Sequence, residues 1–237
     1  MNSLVLLALA LAPGAAIGLY IYFKDKYERE PISLVILSFF LGVVSVVITF
    51  ILSFPINKII PIDQKSLSEQ AVHAFLLVAL IEEFSKFIFV RWVLYPNKNF
   101  NEPFDGIVYA VSVGLGFAGL ENILYVMSSS NGIATGIMRM FTAVPAHATF
   151  AVLMGYFMGR AKCEKGKSYL VWVGLASATL FHGAYDYFWF LSYIPGLWTG
   201  AIASLVVGLY LSKKAIRSNQ EASPFITSSK IDPSQNG

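Results

Sequence analysis

Long apolar runs alternate with short polar punctuation along this chain. Seven apolar segments run at about 3–23, 31–54, 70–95, 105–127, 134–159, 168–193 and 197–212, and a helix needs roughly 17–25 residues to cross a hydrocarbon core. Between them stand "KDKYEREP", "PINKIIPIDQKSLSE", "PNKNFNEP", "SSSNG", "RAKCEKGK" and "IPG". Inside a bilayer the backbone must satisfy its own polar groups, so such runs are read as helices. A central Pro145 and many glycines do not change that, because neighbouring helices can satisfy the freed groups. The pattern predicts an all-α fold: a polytopic integral membrane helical bundle of about seven transmembrane helices. Residues 1–212 form one transmembrane domain in this reading, and the polar tract 213–237 is expected to be a disordered tail.

Composition supports this class. Of the 237 residues, 56% are hydrophobic and 13% charged, and the mean hydropathy is +0.64; soluble domains carry about 25% charged residues. The first apolar run has no basic residues before it and is long enough to span, so it is read as a retained helix rather than a cleaved signal. Cys163 is the single cysteine, which excludes an intrachain disulfide and a cysteine-cluster metal site. The net charge of +3 lies in loops and tail, and nothing supports nucleic-acid binding. Basic residues set the orientation. With the N-terminus outside and the C-terminus inside, twelve Lys and Arg residues of the loops and tail fall on the cytoplasmic side and two, Lys58 and Lys65, on the outer side.

A short set of ionisable groups remains at membrane depth, where a charge costs roughly 2.5–3.5 kcal/mol on insertion scales. The third segment carries Glu82, Glu83 and Lys86, the fourth Glu121, the fifth His147, and the sixth His182 and Asp186. At 1.5 Å per residue, Glu82, His147 and His182 lie roughly 17–20 Å from the outer ends of their segments, and Glu121 and Asp186 roughly 10 Å. Four helices thus bring polar groups to a common layer, from the midplane outward. Arg91 and Arg139 lie nearer segment ends, where snorkelling explains them, and His73 is expected to be wet. Glu82 and Lys86 are four residues apart and can pair, while Glu83 points about 100° away. His182 and Asp186 are also four apart, so the carboxylate can fix the imidazole tautomer. Glu121 shares a face with Tyr125 and has Asn122 beside it; Gly114, Gly116 and Gly119 before it allow close helix approach.

This set suits water activation. A carboxylate takes a proton from water, and imidazoles bind water, stabilise an oxyanion or ligate a metal. Two histidines and a carboxylate also make a zinc shell, with Glu121, His147 and His182 as candidate ligands, but spacing alone does not choose between metal-free and metal-bound chemistry. Each group has a plainer structural alternative: a packing ion pair for Glu82 and Lys86, and interhelical polar contacts for His182–Asp186 and Glu121–Asn122. Convergence of four helices at one depth argues against reading them all that way. A proton-coupled transporter would use the same residue types but would show an inverted repeat, and none is visible. A non-catalytic membrane scaffold would leave Glu82→Gln silent.

The order "EEFSK", "DGIVYAVSVGLGFAGLENILY", "AVPAHATFAVLMGYFMGRAK" and "LFHGAYDY" resembles the bacterial PrsW intramembrane protease family. The opening "APGAAIGLYIYFKDKYEREP" followed by "SFFLGVV" resembles that family's start. The match covers roughly residues 10–190. It implies a multi-pass protease of the bacterial cytoplasmic membrane that makes the first, outer-side cut in a membrane-bound anti-sigma factor. The chain is similar, more remotely, to the glutamate proteases that process CAAX proteins. By that resemblance Glu82 and Glu83 match a paired-Glu motif, His182 with Asp186 matches a closing HxxxN/D motif, and His147 is the middle histidine. Two departures stand out: Lys86 comes one position earlier than EExxxR expects, and Ala143 occupies the place of Phe in FxxxH. The implied catalytic residues are Glu82, Glu83, His147 and His182, supported by Lys86, Glu121, Asn122 and Asp186, with either no cofactor or zinc.

Overall fold

The computed structural model describes residues 3–226, and every regular element among them is helical. Helix α1 spans Ser3–Lys24 and α2 spans Ile32–Ile59. Rod α3 covers 67–94 and alternates α-helical Leu67–Val72 and Leu80–Phe89 with π-helical His73–Ala79 and Val90–Leu94. Then follow α4 (Pro103–Ser128), α5 (Gly132–Phe141), α6 (Ala143–Cys163), α7 (Leu170–Phe190) and α8 (Trp198–Glu221). Among the described residues, five stretches are long and apolar enough to cross a membrane: Ser3–Lys24, Ile32–Ile59, Pro103–Ser128, Gly132–Cys163 and Trp198–Glu221. The expected all-α membrane bundle is therefore what the chain forms. The other two rods, α3 and α7, carry Glu82, Glu83, Lys86, His182 and Asp186, whose polarity dilutes their apolar runs.

Two boundaries differ from the sequence expectation. The fifth segment is not one helix, because it breaks at Thr142 (φ −120°, ψ −77°) between α5 and α6. Pro145 explains the place: its ring excludes the carbonyl four residues back and it offers no N–H, so the turn before it cannot close. Thr142 caps the break by donating its hydroxyl to the Met138 carbonyl at 2.8 Å. The second difference is the tail. Residues 213–221 are not disordered but extend α8, because buried Asn219 donates to the Pro103 carbonyl at 2.9 Å and accepts from Arg160 Nε at 2.9 Å. Of the rest of the expected tail, 222–226 are described and 227–237 lie outside the described residues.

Helix α4 is the central post, buried continuously from Pro103 to Gly119. Its neighbours approach to backbone contact at glycines. A Cβ on Gly116 would lie 1.9 Å from the Phe39 carbonyl of α2, and one on Gly42 of α2 would lie 1.9 Å from the Val113 carbonyl of α4. A lipid-solvated bundle gains little from burying apolar surface, so such close packing carries much of its cohesion. Gly116→Ala is expected to push α2 and α4 apart at a cost of about 1–3 kcal/mol, read as a lower unfolding temperature of the detergent-solubilised protein. Outward, α1, α2 and α8 present exposed Phe23, Phe40, Phe50 and Tyr210, as a surface in lipid should.

One end of the bundle is tied by polar contacts between distant rods. Lys162 Nζ of α6 donates to the Tyr95 carbonyl after α3 at 2.6 Å, and Gln220 of α8 donates to the Lys24 carbonyl of α1. The ends of α1, α3, α6 and α8 thus meet the start of α4 at one level.

Candidate active site

Rod α3 delivers the two adjacent glutamates in different directions. Glu83 is turned inward and is 1% exposed. Its Oε1 accepts from Lys86 Nζ at 2.7 Å and faces His182 Nδ1 at 2.9 Å. Glu82 holds Lys86 only loosely, at 3.7 Å, and its Oε2 is buried with no hydrogen-bond partner among the described residues. The expected Glu82–Lys86 pairing is thus secondary to Glu83–Lys86, one residue closer in sequence. The π-helical turns on both sides of this stretch shift side-chain direction relative to an ideal α-helix, and such turns recur at functional sites.

Lys86 is the hub. Its Nζ also lies 3.3 Å from His147 Nδ1 and 3.9 Å from the Phe117 ring centroid. An ammonium has only donors, so His147 Nδ1 is the acceptor there, and Nε2 donates to Glu121 Oε2 at 3.0 Å. Glu121 in turn accepts from Arg139 of α5 at 2.6 Å, and Arg139 Nε donates to Asn122 Oδ1 at 2.5 Å. His182 is held at both nitrogens, by Glu83 at Nδ1 and by Asp186 Oδ2 at 3.2 Å from Nε2. Its ring stacks on Phe150 with centroids 4.7 Å apart. The His147 and His182 rings meet at 5.2 Å.

These groups border a cavity of about 700 Å³. Glu82, Glu121, His147, His182 and Asp186 line it, and so do Asn57, Ser128, Thr135 and Phe190 from one end of the bundle. The cavity therefore reaches down from the end that carries the α2–α3 and α4–α5 connections, away from the Lys24–Arg160 end. Glu83, Lys86 and Asn122 are buried behind its wall, and Asn122 Nδ2 is spent on the Ala10 carbonyl at 3.2 Å. His73 lies near the mouth, stacked on Phe190 with centroids 5.1 Å apart.

Carboxylates at 82, 83, 121 and 186 and imidazoles at 147 and 182 thus share one connected cluster. Snorkelling does not describe Arg139, which turns inward to hold Glu121 and stacks over Tyr125 at 4.0 Å. The signal for it was charge complementarity: a carboxylate near the end of α4 faces a basic residue on the next helix. Phe150 and Phe117, which floor the imidazole and the ammonium, carried no sequence signal apart from the apolar face they belong to.

One oxygen of Glu82 and one nitrogen each of His147 and His182 lie within 4.8 Å of one another. The sequence expectation had Glu121 in this ligand group; it sits one layer out, bonded to His147 and Arg139. The donor set suits zinc. Charge suits it too: four carboxylates (Glu82, Glu83, Glu121, Asp186) meet two basic side chains (Lys86, Arg139), which leaves room for two positive charges.

The family described as "PrsW family intramembrane metalloprotease" matches residues 30–212. The chain is 42% identical over 185 residues to a protein named "Protease PrsW" from Geobacillus kaustophilus, a match covering 77% of this chain and 78% of the relative. It is 37% identical over 190 residues to "Protease PrsW" from Bacillus subtilis, covering 77% and 81%. With the protein of that name from Oceanobacillus iheyensis it shares 35% identity over 215 residues, 90% of this chain and 96% of the relative. No solved structure matches it. A polar cluster lining a cavity inside an apolar bundle and this kinship agree: the chain belongs to the PrsW family of intramembrane proteases and is a peptide-bond hydrolase.

Proposed function

We propose that this protein makes the first, extracytoplasmic cut in a membrane-anchored anti-sigma factor, in the bacterial cytoplasmic membrane, with Glu82 as the proton acceptor for the attacking water. One observation carries the assignment of the base. Glu82 lines the cavity beside His147 and His182, and its Oε2 is buried without a partner among the described residues, whereas Glu83 is committed to Lys86 and His182. A free carboxylate oxygen in a hydrated pocket can take a proton; one already shared between two donors is a positioning group.

The neighbouring residues divide the remaining work. Glu83 fixes the Nδ1 side of His182, and Asp186 holds Nε2 until substrate competes for it. Without a metal, the freed N–H donates to the oxyanion that develops on the scissile carbonyl; with zinc bound, that nitrogen would be a ligand and the ion would polarise the carbonyl in its place. Glu121, oriented by Arg139, sets the tautomer of His147. Glu82, His147 and His182 would hold a zinc ion, with Glu83 and Glu121 as the outer carboxylates that orient each imidazole. Such an ion, when bound, acidifies water and polarises the carbonyl. A carboxylate has two oxygens, so ligation through one leaves Glu82 the other for the proton.

The outer side of the cut rests on the cavity's direction. Its mouth lies at the end bearing Lys58 and Lys65, and the basic residues crowd the other end, which the positive-inside rule makes cytoplasmic. Seven crossings with the N-terminus outside and the C-terminus inside fit that arrangement. The anti-sigma substrate rests on the family resemblance. Peptide hydrolysis replaces the transporter and scaffold alternatives.

The test is co-reconstitution of the protein with candidate single-pass anti-sigma factors, mapping new termini by mass spectrometry. A cut just outside the membrane is expected, with one zinc per chain and loss of cutting on chelation. A terminus on the cytoplasmic flank would reverse the orientation. Cutting that survives chelation of metal-free protein would remove the zinc.

A further inference from the structure

A second buried carboxylate cluster lies at the opposite end of the bundle, away from the cavity. Asp25 and Glu30 come from the α1–α2 connection, and Glu102 and Asp105 from the head of α4. None is more than 3% exposed. Their hydrogen bonds are one-sided. Asp105 Oδ2 accepts from the Asn101 and Glu102 amides at 2.7 Å each, the latter closing a capping box. Asp25 Oδ2 accepts from the Glu30 amide at 3.3 Å. Glu102 takes the Ser223 hydroxyl and Glu30 the Tyr109 hydroxyl. Asp25 Oδ1 and Asp105 Oδ1 remain, buried and without any donor among the described residues. No ion pair among the described residues involves any of the four carboxylates.

One oxygen each of Asp25, Glu102 and Asp105 lies within 4.8 Å of the others. Groups that only accept cannot hold one another unless a proton or a cation stands between them. We propose that Asp25, Glu102 and Asp105 bind a hard divalent cation of the Mg²⁺, Ca²⁺ or Mn²⁺ class, which ties the α1–α2 connection to the head of α4. An all-carboxylate donor set selects hard cations over zinc. Amides and hydroxyls that occupy one oxygen of a carboxylate and aim the other are the usual outer layer of a metal site. The bare cluster is costly: burial, with Glu102 beside it, pushes the Asp25 carboxyl up to about 8, and burial pushes Glu30 up to about 7. The competing state is a cluster held by shared protons alone.

Cys163, the single cysteine, offers a probe. It is exposed, and its Sγ lies 3.8 Å from the Asn101 carbonyl, beside the amide that holds Asp105. His147 is roughly 24 Å away along α6. A nitroxide on Cys163 of the full-length protein is expected to lose signal amplitude on addition of Mn²⁺ and to regain it in excess Mg²⁺ or Ca²⁺. Asp25→Asn and Asp105→Asn should each abolish the loss, and Ser223→Ala should weaken Mn²⁺ roughly 10–100-fold. Glu82→Gln and His182→Ala should leave it intact. An unchanged nitroxide signal at millimolar Mn²⁺ in the otherwise unaltered chain overturns the proposal, even if the aspartate variants do not fold. So does a loss that Mg²⁺ and Ca²⁺ cannot reverse, or one that both aspartate variants retain.

Discussion

Replacing Glu82 by glutamine is expected to lower peptide hydrolysis by roughly 10²–10⁴-fold, the usual worth of a positioned general base, while the protein folds and inserts as before. Glutamine keeps the size of the side chain. Within the protein it forfeits the 3.7 Å contact with Lys86 and the 3.9 Å contact with His182, both too long to be hydrogen bonds, and it weakens the proposed zinc ligand set, so bound zinc is measured beside cleavage. The variant therefore separates chemistry from architecture. Cleavage of a reconstituted single-pass substrate, followed by the appearance of its new terminus, is the measurement, with thermal unfolding in detergent alongside. Unimpaired cleavage by Glu82→Gln would move the base elsewhere in the cluster, with Asp186 and Glu121 as the other cavity-lining carboxylates.

Glu82 and Glu83 also mark how far the sequence could be read. Apolar run length sets the helical membrane class, because spanning length is a one-dimensional property. Helical rise likewise puts the carboxylates and imidazoles in one layer, since depth is set along each rod. Direction around a rod is different. Spacing paired Glu82 with Lys86, but Glu83, three residues back on the same α-helical stretch Leu80–Phe89, is equally within reach, and Lys86 settles on Glu83 at 2.7 Å, on the side where His147 and His182 lie. Partner choice between rods was hidden for the same reason. That Glu121 answers to Arg139 depends on the turn at Ser129–Asn131, which brings α5 back beside α4. The carboxylates of "KDKYEREP" and "PNKNFNEP" read as solvated loop, because nothing local shows that two loops far apart in sequence bury their acids against one another. Likewise, α8 outlasts its apolar run because Asn219 and Gln220 find backbone partners on other rods.

Removing the ammonium at the hub should do the opposite of Glu82→Gln. Lys86 is 3% exposed and touches Glu83, His147 and the Phe117 face, so Lys86→Met leaves Glu83 charged, buried and held by His182 alone. Breaking one side of a buried pair costs about 3–5 kcal/mol, a large share of the stability of most folded proteins. Lys86→Met is therefore expected to unfold at much lower temperature than the unaltered protein. The double variant Glu83→Gln/Lys86→Met removes both charges, and its unfolding temperature should recover most of the loss, because an apolar side chain of similar length refills the space over Phe117. Activity should not recover with it, since His182 would have lost the carboxylate at Nδ1 and His147 the donor at its own Nδ1. Unfolding and cleavage measured on the two single variants and the double complete a cycle whose coupling term isolates the pair. A Lys86→Met protein as stable as its parent would mean that another cation, such as a metal bound among Glu82, His147 and His182, already neutralises Glu83.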